Sequence, residues 1–141
     1  MDDNQITTDQ TRFDFTLIHQ FLKSAYWSKN IPFETMQKAV QNSLSFAVFK
    51  KSEQIGFGRV ITDYATFGYL ADIFILDEYQ GCGYGKLLVK TILEHSDLQG
   101  IRRMLLATSD AHHIYAKYNF KALEKPENFM EINVKNIYLR T

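Results

Sequence analysis

The sequence predicts a single α/β domain of the α+β kind, a mixed and mostly antiparallel sheet flanked by helices. Three observations predict it. Two amphipathic helical segments precede a pair of β-branched and aromatic segments spaced as a hairpin. A third apolar strand then runs into a glycine cluster that opens a helix, and a further strand and helix follow. With 141 residues, 45% of them hydrophobic, and neither linker nor repeat, residues 1–141 read as one domain with its own core.

Asp14 is a candidate N-cap for a first helix, because Phe15, Leu17, Ile18, Phe21 and Leu22 recur at helical spacing. That helix should fade near Tyr26 and Trp27. Pro32 suits the start of a second helix, with Met36, Ala39 and Val40 as its inner face and Asn42-Ser43 as its end. Residues 45–49 and 55–61 then read as a hairpin around the polar turn KKSEQ, and 69–76 as a third strand. Beyond the glycines, Leu88, Val89, Ile92 and Leu93 face one way while Lys86, Lys90 and Glu94 face the other, so this helix should lie on the sheet. MLLAT, at 104–108, is a continuous apolar run and is expected to be a strand buried on both faces. Ser109 or Asp110 should cap a short helix that Asn119 ends, and 120–123 should return to the sheet. The tail after Pro126 alternates polar and apolar residues, which predicts one or two weak strands.

Charge excludes several partners. Sixteen basic and sixteen acidic residues cancel, so neither nucleic acid nor an anionic membrane finds the basic surface it usually needs. No apolar run approaches the ~20 residues of a membrane span. The polar, acidic start MDDNQITTDQ does not resemble a signal peptide, and the single cysteine, Cys82, can form no internal disulfide. A cytoplasmic protein is expected.

The stretch YQGCGYGKLL, 79–88, carries the clearest chemical signal. A P-loop would need glycine at position 80 and a hydroxyl at 87, where Gln80 and Leu87 stand. A dinucleotide fingerprint begun at Gly81 and Gly83 would need a glycine at Lys86. The pattern that does fit is [RQ]-x-x-G-x-[GA], met by Gln80, Gly83 and Gly85 between a strand and a helix. Residues without side chains let backbone N–H groups approach phosphate oxygens, and the helix N-terminus adds about half a positive charge. Glycines at a helix start can also serve close packing, and the residues alone leave that alternative open.

Some thirty residues later, LATSDAHHIYAKYNF places Ile114-Tyr115 and Asn119-Phe120 after a strand. On these two signatures and the order of elements, roughly residues 14–123 resemble the GNAT superfamily of acetyl-CoA-dependent N-acetyltransferases. Asn119 stands where that family usually has glycine, and Gln80 where arginine is commoner. The resemblance implies splayed central strands holding coenzyme A and direct attack of a primary amine on the thioester in a ternary complex. It implies Tyr115 as the acid that protonates the departing sulfur. Gln80, Gly81, Cys82, Gly83, Tyr84, Gly85 and Lys86 would take the pyrophosphate, and backbone groups of Phe74, Ile75 and Leu76 the pantetheine arm. Asp110 would lie near that arm or simply cap its helix; Tyr118 would pack in the core or touch the cofactor.

The amine must lose its proton before attack, since an alkylammonium holds it to pH ~10.4. Strand alternation puts Leu70, Asp72, Phe74 and Leu76 on one face, so Asp72 is a carboxylate in an apolar row, and burial there would make it a better base. Its other reading is a structural partner of Arg59. The run Y-L-x-D-x-F resembles that of diamine and polyamine acetyltransferases, which commonly have an acid where Ala71 stands. Tyr26 and Trp27 either line the acceptor site or pack the core. His112 and His113 point about 100° apart and lack a third ligand at supporting spacing, so no metal is expected. The expected acceptor is a small-molecule amine. Alternatives are a protein amine, a non-catalytic acyl-CoA sensor that would need neither Asp72 nor Tyr115, and a structural interaction domain. Residues 133–141 could pair across a two-fold axis in a homodimer.

Overall fold

A computed structural model of the chain describes residues 4–139. Its sheet has five strands in the order of the chain: β1 (Asn4–Thr7), β2 (Leu44–Lys50), β3 (Glu53–Thr62), β4 (Phe67–Ile75) and β5 (Arg103–Leu106). The first four pair antiparallel, and β5 runs parallel to β4. The helices are α1 (Phe15–Leu22), α2 (Phe33–Gln41), α3 (Tyr84–Glu94) and α4 (His112–Ala116). No described helix is long and apolar enough to cross a membrane.

Local chemistry sets most boundaries where the sequence predicts them. The Asp14 carboxylate accepts the Leu17 N–H at 3.0 Å and caps α1. Pro32 and Asn42 flank α2. Lys51, at φ 57°, turns the β2–β3 hairpin. The sheet separates two cores. On one face α3 lays Leu88 and Ile92 over Phe46, Val48, Val60 and Leu70; on the other α1 and α2 set Ile18, Leu22, Met36 and Val40 on Ala47, Phe57 and Phe74. The central strands are therefore apolar on both sides.

Three expectations are corrected. First, β4 does not keep Leu70, Asp72, Phe74 and Leu76 on one face. Its register on β3 goes from Phe57↔Phe74 to Arg59↔Ala71, so β4 carries one residue more than its partner, and Asp72 sits there at φ 58°. This β-bulge reverses the alternation: Leu70 joins the α3 core, whereas Asp72, Phe74 and Leu76 face α1 and α2. Second, β5 is not buried on both faces. It is an edge strand among the described residues, with Arg103 exposed and Met104 to Leu106 half-buried. Residues 120–123 form no strand to cover it; Phe120 packs edge-on against Tyr115 at 5.9 Å instead. The tail likewise forms only short 3₁₀ turns, and its alternating residues find no strand to pair with: Met130 and Ile132 are 98% and 99% exposed. Third, Ala111 rather than Ser109 or Asp110 occupies the N-cap of α4, and its N–H is taken by the Thr108 hydroxyl at 3.1 Å.

Close approach of β3 to β4 at the bulge requires Gly56. A Cβ there would lie 2.8 Å from the Phe74 carbonyl oxygen, a backbone atom, whereas one at Gly58 would meet only side-chain tips, those of Ile73, Ile92 and Leu88. Gly56→Ala should therefore lose about 1–3 kcal/mol in urea unfolding and exceed the loss from Gly58→Ala; equal losses would contradict this packing.

Candidate active site

Pairing between β4 and β5 ends at Leu70↔Leu106, and from Ala71 to Ile75 β4 pairs with β3 only. The free edge so created is the first element of the site. Backbone groups of an antiparallel strand point alternately to either neighbour. The Leu76 N–H donates to the Ile55 carbonyl of β3 at 2.8 Å, so Phe74 and Leu76 turn toward β3 while Ile73 and Ile75 turn to the gap. Of the three residues expected to meet an extended ligand, only Ile75 turns its backbone toward the gap, and Ile73 turns the same way; the bulge decides this parity.

The glycine loop closes the end of this gap. The Gln80 side-chain amide donates to the Ile75 carbonyl at 3.0 Å, tying the loop to the end of β4. Gly81 and Gly83 have φ of 79° and 92°, and Gly83 is the N-cap of α3 without any side-chain cap. A Cβ on either would meet no atom within 4 Å, and one on Gly85 would approach only Ile75, at 4.0 Å. Close packing thus does not explain these glycines. They supply left-handed turns and leave space above the helix start. Helical bonding begins when Leu87 donates to the Gly83 carbonyl at 3.1 Å, so the Gly85 and Lys86 N–H groups precede it and point out of the helix end. Buried Tyr84, edge-on to Tyr79, anchors the loop from below. Cys82 and Lys86 are exposed, and the Tyr118 hydroxyl donates to the Lys86 carbonyl at 3.4 Å. Open N–H groups, a helix dipole and room for atoms in contact with the backbone suit a pyrophosphate.

Asp72 has both oxygens engaged. Oδ2 accepts Arg59 Nε at 2.6 Å, and Oδ1 accepts the Trp27 indole N–H at 2.7 Å; Arg59 also donates to the Ser43 hydroxyl at 2.9 Å. The Arg59 and Asp72 side chains are only 15% and 10% exposed. Beside them a cavity of about 160 Å³ is floored by Leu22, Ile31, Met36 and Val40. Tyr26 stands edge-on to Trp27 and reaches the Ser109 hydroxyl at 3.1 Å. The loop after α1 therefore bridges β4 and the segment after β5.

Tyr115 packs on the α3 core, away from Asp72's face of the sheet. Burial, and then the neighbouring Tyr118, raise its phenol above the ordinary value. Asp110 is exposed and caps nothing. His112 and His113 are exposed, and among the described residues no three His, Cys, Asp or Glu side chains gather to hold a metal. A wider cavity of about 700 Å³ opens between the start of α1 and the β2–β3 turn, but of the expected site residues it contains only Leu76.

Comparison with known families decides the class. The model of the acetyltransferase (GNAT) family matches residues 10–120. The chain belongs to the GNAT family of acetyltransferases. A Gibberella zeae protein that carries an acetyltransferase name is 31% identical over 138 residues, spanning 82% of this chain and 77% of that one. A solved structure from Xanthomonas campestris, assigned to the GNAT family, is 45% identical, covers 96% of each chain and superposes with a TM-score of 0.94. A GNAT acetyltransferase from Elizabethkingia anophelis, solved with acetyl-CoA bound, shares the fold at 18% identity and a TM-score of 0.65, covering 96% of this chain and 91% of that one. The mixed five-stranded sheet flanked by helices is the GNAT fold, and the chain is an acyltransferase.

The Asp72 array makes a stability prediction. Asp72→Asn keeps an acceptor for Trp27 but loses the ion pair, and should lose about 1–3 kcal/mol in urea unfolding. Asp72→Leu strands the Arg59 guanidinium and should lose more. A leucine variant as stable as the wild type would contradict the array.

Proposed function

We propose that this GNAT enzyme transfers acetyl from acetyl-CoA to a primary amine of a small molecule, by direct attack in a ternary complex. One observation carries the reading: the glycine loop, whose glycines pack against nothing, closes a gap with free strand edge. The acetyl-CoA seen with the Elizabethkingia relative supports the choice of cosubstrate. Bound there, acetyl-CoA supplies the activated thioester. The loop from Gln80 to Lys86 would take its pyrophosphate by backbone N–H groups, and Ile73 and Ile75 would pair with its arm.

As the amine nitrogen bonds to the thioester carbon and the C–S bond breaks, Tyr115 would give its phenolic proton to the departing sulfur, and the proton shed by the nitrogen would return through solvent to the phenolate. Because burial raises this phenol, it stays protonated through neutral and mildly alkaline pH. Its ionisation should cause no loss of rate below about pH 10, the ordinary phenol value. Asp72 acts chiefly as a positioning residue in this reading, since accepting the amine's proton would neutralise the carboxylate that is paired with the nearly buried Arg59 guanidinium. Desolvation against Trp27 and the apolar floor favours the neutral, reactive amine. The small cavity favours a small-molecule acceptor over a protein chain. A homodimer, the remaining expectation, is supported by exposed Met130 and Ile132 and by the open edge of β5, rather than by 133–141 alone.

Thermal unfolding with and without excess acetyl-CoA tests this function. At ~100 times its Kd, a ligand of the folded state adds ~2.7 kcal/mol. The wild type should show that stabilisation and Gly83→Val should not, because a side chain there meets both the left-handed backbone and the phosphates. Tyr115→Phe should keep the stabilisation and reduce kcat roughly 10²-fold or more. No stabilisation of the wild type would overturn the reading; stabilisation without turnover of any amine would leave a sensor.

A further inference from the structure

From Glu124 to Leu139 every residue is exposed save one, Tyr138. That ring packs against the α1–α2 core and lines the 160 Å³ cavity together with Asp72 and Trp27. A tail that buries a single aromatic, at the wall of the cavity beside the bulge, is placed to shape what enters. The cavity's capacity is on the order of a benzene ring. Its floor is apolar, and Asp72, its one carboxylate, is already neutralised by Arg59. An acceptor with a second ammonium would find no anion there, and the desolvation of that charge would go uncompensated.

Resting on the acetyltransferase reading above, we propose that Tyr138 is a specificity-determining residue: it walls an acceptor pocket for a primary amine bearing one compact apolar group, and the pocket excludes polyamines. The amine end would lie at the mouth near Trp27 and the apolar group on Leu22, Ile31 and Met36. Tyr138 needs its ring for this and not its hydroxyl.

Trp27 is the only tryptophan of the chain and lines the cavity, so its fluorescence reports occupancy without acetyl-CoA. Benzylamine and spermidine are titrated into the wild type, Tyr138→Phe and Tyr138→Ala, each first checked for cooperative thermal unfolding. A chain ending at Asn136 serves as a second removal of the ring. Benzylamine should saturate the signal of the wild type and of Tyr138→Phe, and bind at least tenfold more weakly to Tyr138→Ala and to the shortened chain. Spermidine should bind the wild type at least tenfold more weakly than benzylamine. In turnover with acetyl-CoA, Tyr138→Ala should shift the kcat/KM ratio toward the bulkier 1-naphthylmethylamine. Equal benzylamine affinity in all variants, no benzylamine response at all, or preference for spermidine would overturn the proposal. Acetyl-CoA stabilisation with no benzylamine response defeats this inference alone; a benzylamine response without acetyl-CoA stabilisation defeats the cofactor reading alone.

Discussion

The extra residue of β4 at Asp72 is the constraint on which the rest of the site depends. An uninterrupted strand would keep Asp72 on the face of Leu70, among the residues that pack under α3. The bulge does two things at once. It turns one carboxylate out of the α3 core toward α1 and α2, and it precedes the stretch where β4 and β5 part. Such a conformation is sparsely populated for a residue with a side chain, although aspartate tolerates it better than most. Arg59 and Trp27 hold it from the side chain, and Gly56 lets β3 approach from the backbone.

From that point the chemistry divides between the faces of the sheet. The α3 face holds Tyr115, a phenol kept protonated by burial, and the anchored glycine loop. The α1–α2 face holds the indole, the ion pair and the small cavity. The gap in the sheet is where an extended thioester could meet both. Neutral overall charge is no obstacle, because the loop attracts an anion with oriented N–H groups rather than with lysines.

Much of this was legible in the sequence. Capping by Asp14, the hairpin, the glycine loop and the succession of elements from α1 to α4 all follow from local rules, whereas the edge strand β1 and the lack of a strand after α4 do not. The bulge was not legible, since nothing in YLADIFIL distinguishes an extra residue from a continued strand. Two of its consequences escape the sequence: the separate faces of Leu70 and Asp72, and the backbone parity that turns Ile73 and Ile75, rather than Phe74 and Leu76, to the gap. MLLAT was read as doubly buried because an apolar run reports what a strand could bury, not whether a neighbour exists. Tyr138 gives no signal, because its packing beside the cavity arises from where the tail returns, a long-range matter that periodicity does not encode.

Amide hydrogen exchange resolved by residue, with and without acetyl-CoA, tests the central claim most directly. The account predicts slowed exchange at Ile73, Ile75 and the amides of the loop from Gly81 to Lys86, with the β2–β3 hairpin unchanged. Protection confined to the wide cavity beside Asp14 and Glu53, with the loop amides exchanging as before, would contradict it.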